Sequence, residues 1–182
     1  MHCRKANPFK RTAASLILVA AALSLPPPAT AMPNVHTYAE TEAPLYYGEY
    51  FWDESGAPRA RAEIVVDLHA EQLYVYRGGV EIARAVITRG WQDYKTPTGT
   101  FPILEKDADH YSSTYGGAPM PYNLRLTWRG IAIHGADVDD MAATHGCIGI
   151  PMEFAKTLFR NMRVGDKVYV TNNWKPEVYG YP

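Results

Sequence analysis

The chain has 182 residues, a formal charge of -1, 47% hydrophobic and 20% charged residues. This balance excludes a disordered or fibrous chain, and the lack of a basic excess excludes a nucleic-acid-binding protein. The length accommodates one domain with a short appendage.

In chain order the first segment reads as an address. Arg4, Lys5, Lys10 and Arg11 precede an apolar run, Ala13 to Leu25, and Pro26, Pro27 and Pro28 stop it. Ala29-Thr30-Ala31 is a small-residue cleavage pattern, so residues 1–31 are expected to be a secretory signal peptide. The apolar run is shorter than the ~20 residues that span a bilayer, so no integral membrane span is expected after cleavage. Removing the segment takes away four basic residues and no acidic one, turning -1 into -5, and Cys3 leaves with it. Cys147 then stands alone in an oxidising compartment, where a lone thiol is a liability unless buried, paired between chains or used in chemistry.

Residues 32–60 carry Gly and Pro between short apolar stretches and cluster Tyr46, Tyr47, Tyr50, Phe51 and Trp52; they are expected to be an extended arm laying aromatics on the domain. The domain proper is expected over 61–172, with a short polar tail, 173–182, after it. Strand signals occur at Glu63–Leu68, Gln72–Tyr76 and Val80–Thr88, with Arg77-Gly78-Gly79 as a turn. Further strands are expected at Thr100–Leu104, Leu124–Trp128, Gly130–His134 and Lys167–Thr171. Asp107, Asp109 and His110 read as a polar loop, part of a flap. The clearest helix is Met152–Asn161: Pro151 suits its start, Glu153 its positive end, Arg160 and Arg163 its negative end. Phe154, Ala155, Leu158 and Phe159 form its apolar stripe. Many short strands with one helix predict a mostly β domain, sandwich-like, with the helix packed on it.

Two stretches carry chemistry. Ile131-Ala132-Ile133-His134-Gly135 ends an apolar strand on a histidine, and Thr144-His145-Gly146-Cys147-Ile148 places a cysteine in a tight turn before the helix. A thiol nucleophile needs a base within reach, backbone amides aimed at the developing oxyanion, and an open approach that glycine permits. His134 suits the base, the Gly135 carbonyl suits its orienter, and the amides of His145, Gly146 and Cys147 suit the oxyanion donors. His36, His69 and His110 are isolated, and Asp137, Asp139 and Asp140 lack the ligand pattern of a calcium loop, so neither metal nor cofactor is expected.

From Glu63 to Thr171 these residues resemble the L,D-transpeptidase catalytic domain family (YkuD-type), in its short-loop exported subgroup. The matching pieces, in the family's order, are Val66-Asp67-Leu68, Gln72–Tyr76, Thr96–Phe101, Ala118–Tyr122, Ile131–Gly135 and Ala143–Ile148. The resemblance implies a β-sandwich-like domain with a catalytic cysteine in a cleft under a flap. It implies an exported enzyme of the periplasm or cell wall that cross-links peptidoglycan stem peptides through a thioester and is open to carbapenem acylation. Cys147 would be the nucleophile and His134 the base, oriented by Gly135. His145, Gly146 and Cys147 would form the oxyanion site, and Met120, Tyr122 and Thr144 would bind substrate. The alternatives are the same site with water or a protein lysine as acceptor, or a wall-binding module that has lost activity. Gly149 departs from the family, which carries Arg or Asn there; restoring Arg is expected to change rate or affinity without altering the fold.

Overall fold

The computed structural model describes residues 45–174 together with Thr37 and Ala39. The expected signal peptide and most of the tail lie outside the described residues. The elements are β1 (Tyr50–Trp52), β2 (Ala62–Asp67), β3 (Gln72–Arg77), β4 (Val80–Val86), β5 (Gly99–Pro102), β6 (Glu105–Tyr111), β7 (Pro119–Arg125), β8 (Ala132–Gly135), β9 (Ile148–Ile150), α1 (Met152–Asn161) and β10 (Lys167–Thr171).

They form a six-stranded sheet, β1-β4-β3-β2-β10-β5, and a four-stranded sheet, β6-β7-β8-β9. All neighbours are antiparallel except β10 with β2 and β8 with β9. The core lies between the sheets and against α1. Ile64, Val66, Leu73, Val75 and Ile82 meet Leu124, Ile133, Ile148 and Ile150, with Phe154 and Leu158 from the helix. Burial of such side chains is worth roughly 1.5–3 kcal/mol each, so this two-sheet contact holds the domain together. The outer face of the large sheet is also apolar: Val65, Tyr74, Tyr76 and Tyr169 pack under Trp174, whose indole N–H donates to the Tyr76 hydroxyl. Two covered faces explain why β2 and β3 are buried almost throughout instead of alternating.

The helix has the bounds its sequence pattern predicts. The 32–60 arm contributes β1 on the edge beside β4, and its Tyr50 and Trp52 rings meet Phe154 of α1, each with centroids 5.5 Å apart. Three elements differ from expectation. Residues 105–111 are a strand, not a loop, because the ladder to β7 satisfies their backbone although their side chains are polar. β7 begins at Pro119, five residues earlier than expected. The three-residue β9 is too short to read without its partner β8.

Candidate active site

Alternation along the four-stranded sheet builds the site. Leu124, Ile133 and Ile148 are register partners and point into the core. Their chain neighbours therefore face the other way. One row on that face runs Glu105–Arg125–Ala132 and on to Cys147; the next runs Asp107–Asn123 and on to His134 and Gly149. Cys147 and His134, thirteen positions apart in sequence, thus become diagonal neighbours on one face.

The histidine is held in a defined tautomer. His134 is 9% exposed, and its Nδ1 lies 3.0 Å from the Gly135 carbonyl oxygen. A carbonyl only accepts, so Nδ1 carries the proton and Nε2 keeps its lone pair. Burial pulls the imidazole's pKa below its usual value, outweighing the Gly135 hydrogen bond; the neighbouring His110 acts in the same downward direction. Gly135 is glycine for a packing reason: a Cβ there would stand 2.9 Å from Met152 Sδ in the first turn of α1.

The half-buried thiol donates to the Gly130 carbonyl at 3.4 Å. Burial raises its pKa, while the Ala132 backbone N–H and Arg125 oppose that rise. At neutral pH both partners are therefore uncharged: a thiol beside an unprotonated imidazole. Arg125 is itself tied to Glu105 at 2.9 Å.

The turn before the cysteine is braced from inside. Thr144 Oγ1 accepts the Gly146 N–H at 3.2 Å and donates to the Cys147 carbonyl. The Thr144 hydroxyl is thus engaged by its own loop and the Gly146 amide is bonded to it, which leaves the amides of His145 and Cys147 as the candidate oxyanion donors. Gly146 has φ +107°, and a Cβ there would meet Ile131 at 2.9 Å, so only glycine fits. The exposed His145 ring stacks on Tyr115 (4.1 Å, 20°) and edges Tyr94 (4.6 Å). Tyr115 belongs to the turn between β6 and β7, so three loops meet at this imidazole.

Met120 is buried on β7 opposite His110. Tyr122 takes φ +55°, and its ring packs on Phe159 (5.9 Å) at the edge of the core. The sequence reading passed over Asn123, which is 2% exposed, sits in the row of His134, and makes no side-chain hydrogen bond to a described residue. A Pro119–Arg125 strand would have revealed it by alternation.

Gly149 is also explained. Thr88 bridges to it through both backbone bonds (2.9 and 3.0 Å), and a Cβ at 149 would collide with Thr88 Oγ1 and stand 3.0 Å from Ala136 Cβ. The expectation that arginine fits here without disturbing the fold is therefore withdrawn.

Among the described residues no three His, Cys, Asp or Glu side chains converge to hold a metal, and no helix is long and apolar enough to cross a membrane. A search of curated protein sequences found no match. Among solved structures, an L,D-transpeptidase from Stackebrandtia nassauensis shares 25% identity at TM-score 0.58, covering 64% of this chain and 58% of that one. An Enterococcus faecium L,D-transpeptidase shares 28% at TM-score 0.55, covering 60% and 49%. LdtMt1 in complex with imipenem shares 24% at TM-score 0.56, covering 60% and 58%, which speaks to the fold. The chain spans less than two thirds of the length of each. The family model for the L,D-transpeptidase catalytic domain (YkuD) matches residues 61–170, which is more than half of the sequence, and the chain belongs to that family.

Proposed function

We propose that the chain is an exported cysteine acyltransferase that forms cross-links between peptidoglycan stem peptides. The observation that carries this reading is the fixed His134 tautomer, which leaves Nε2 free on the face it shares with Cys147. The thiol rotates from Gly130 toward the imidazole, Nε2 takes its proton, and the sulfur attacks the carbonyl before the terminal D-residue of a donor stem. The amides of His145 and Cys147 receive the oxyanion. The His134 imidazolium protonates the departing amino acid, leaving a thioester on Cys147. An acceptor amine then loses its proton to His134 and attacks the thioester, restoring the thiol. Asn123 offers a donor and an acceptor to the bound peptide beside His134, on a row where Gly149 offers none. Residues 1–31 act as the export signal, and the periplasm or wall is the working compartment.

The deciding experiment is intact-mass spectrometry with imipenem and, separately, with a tetrapeptide donor plus acceptor. One drug molecule per chain, absent from Cys147→Ala, and a dimeric peptide product are expected. His134→Ala should lose turnover by about 10²-fold or more. Donor trimmed to a tripeptide without dimer would assign water as the acceptor. A cysteine variant that still releases the terminal D-amino acid would overturn the mechanism.

A further inference from the structure

A cavity of about 550 Å³ opens at the C-terminal end of α1, between that helix, the start of β2 and the end of β3. Five arginines line it, drawn from three separate stretches of chain, with only two carboxylates, Glu54 and Asp166. α1 is ten residues long, or about 15 Å, and its first turn packs over Gly135 next to His134. The cavity is therefore at the opposite end of the helix from the thiol, and it is no part of the acyl-transfer site.

The two carboxylates are already committed. Asp166 is buried, with one oxygen held by Arg61 (2.6 Å) and the other by the Arg163 backbone N–H (2.6 Å). Glu54 is held by Arg77 at 2.7 Å and also accepts the Trp52 indole N–H; Arg77 chiefly keeps its carboxyl below the usual range. Arg77 spends its other arm on Asn161 Oδ1. Arg59, Arg160 and Arg163 remain, and their guanidinium groups have no side-chain partner among the described residues.

Arg160 stands in the last turn of α1, where its charge suits the negative end, but it does not bond the terminal carbonyls. The helix's negative pole is served by Lys106, whose Nζ donates to the Phe159 and Met162 carbonyls at 2.5 and 2.6 Å. Arg59, Arg160 and Arg163 are exposed, and with five arginines against two carboxylates they leave the cavity with a local positive excess, on a chain that is acidic from Met32 onward. A lone carboxylate carries one charge. A diphosphate or a cluster of phosphates carries two or more and presents several oxygens to planar guanidinium forks.

We infer that this cavity is a second binding site, for a phosphate-class polyanion, independent of the thiol chemistry. The test is isothermal titration calorimetry of the full chain with sodium pyrophosphate, and with acetate at matched ionic strength. A saturable one-site heat is expected with pyrophosphate and not with acetate. Arg59→Gln/Arg160→Gln/Arg163→Gln should weaken it about tenfold or more. The single Arg163→Gln, at an exposed position, should weaken it in the same direction. Imipenem acylation of Cys147 should be unchanged in both variants. Co-sedimentation with phosphatidylglycerol vesicles separates the sources. Pelleting that pyrophosphate reverses and the triple variant lacks assigns a lipid phosphate; no pelleting with the heat retained assigns a soluble one. No saturable heat, equal heat from acetate, or binding that survives the triple substitution overturns the inference.

Discussion

His134 and Cys147 are neutral together because burial acts in opposite directions on a base and an acid. It lowers the imidazole's pKa and raises that of the thiol. In the proposed mechanism the proton then moves as the sulfur attacks the substrate carbonyl. The acid limb of imipenem acylation should lie below the ordinary histidine range, since Nε2 stays unprotonated until its lowered pKa is reached. Alkylation of free Cys147 by iodoacetamide should rise only above the ordinary thiol range. An acid limb at or above pH 6.5 would contradict the burial account. The same depression links His134 to stability: the unfolded imidazole takes up its proton first, so stability present above the unfolded pKa is lost as pH falls toward the folded one. Gly149 is a second residue whose environment is specific. Gly149→Arg should destabilise by about 1–3 kcal/mol through overpacking against Thr88 and Ala136. Thermal melts would register this, and Thr88→Ala should recover part of the loss if the hydroxyl is the obstacle.

Among the elements, β6 does more than its polar sequence announces. Its backbone pairs with β7, its outward row supplies Glu105 and Asp107, and its inward Lys106 crosses to the C-terminal carbonyls of α1. The lysine also lies 4.4 Å over the Phe159 ring. One side chain thus ties the sheet that carries the thiol to the helix that packs on Gly135. Lys106→Met keeps the apolar stem and removes the charged hydrogen bonds. It should cost about 1.5–3 kcal/mol in chemical denaturation. A midpoint unchanged within error would mean that water serves those carbonyls equally well.

At the scale of the molecule, the site is assembled where loops from distant parts of the chain meet. Tyr94 comes from the segment before β5, Tyr115 from the turn between β6 and β7, and His145 from the cysteine turn. The stacked pair contributes about 0.5–1.5 kcal/mol of contact that holds the hairpin tip against the cysteine turn. Tyr115→Ala should therefore lower the second-order rate of imipenem acylation roughly 2- to 10-fold while leaving the melting temperature nearly unchanged. A large loss of stability with unaltered acylation would assign the ring to folding instead. Thr88 acts across a similar span, joining the end of β4 to β9 and so coupling the large sheet to the small one beside the cysteine.

Patterns that depend on near neighbours were readable from the residues alone. The helix from Met152 to Asn161, the strands β2, β3, β4 and β10, the cysteine turn and the strand-end histidine all follow from periodicity, punctuation and residue chemistry. Pairing over long separations was not. β6 is a strand because β7 lies beside it, Asn123 faces the site because of its register with Asp107, and Thr144 turns inward to its own loop. The arginine cavity gathers residues more than eighty positions apart. Local preference is set by each residue and its neighbours, whereas these features are set by which backbone groups and charges the folded chain places within a few ångströms of one another, and only the tertiary structure decides that.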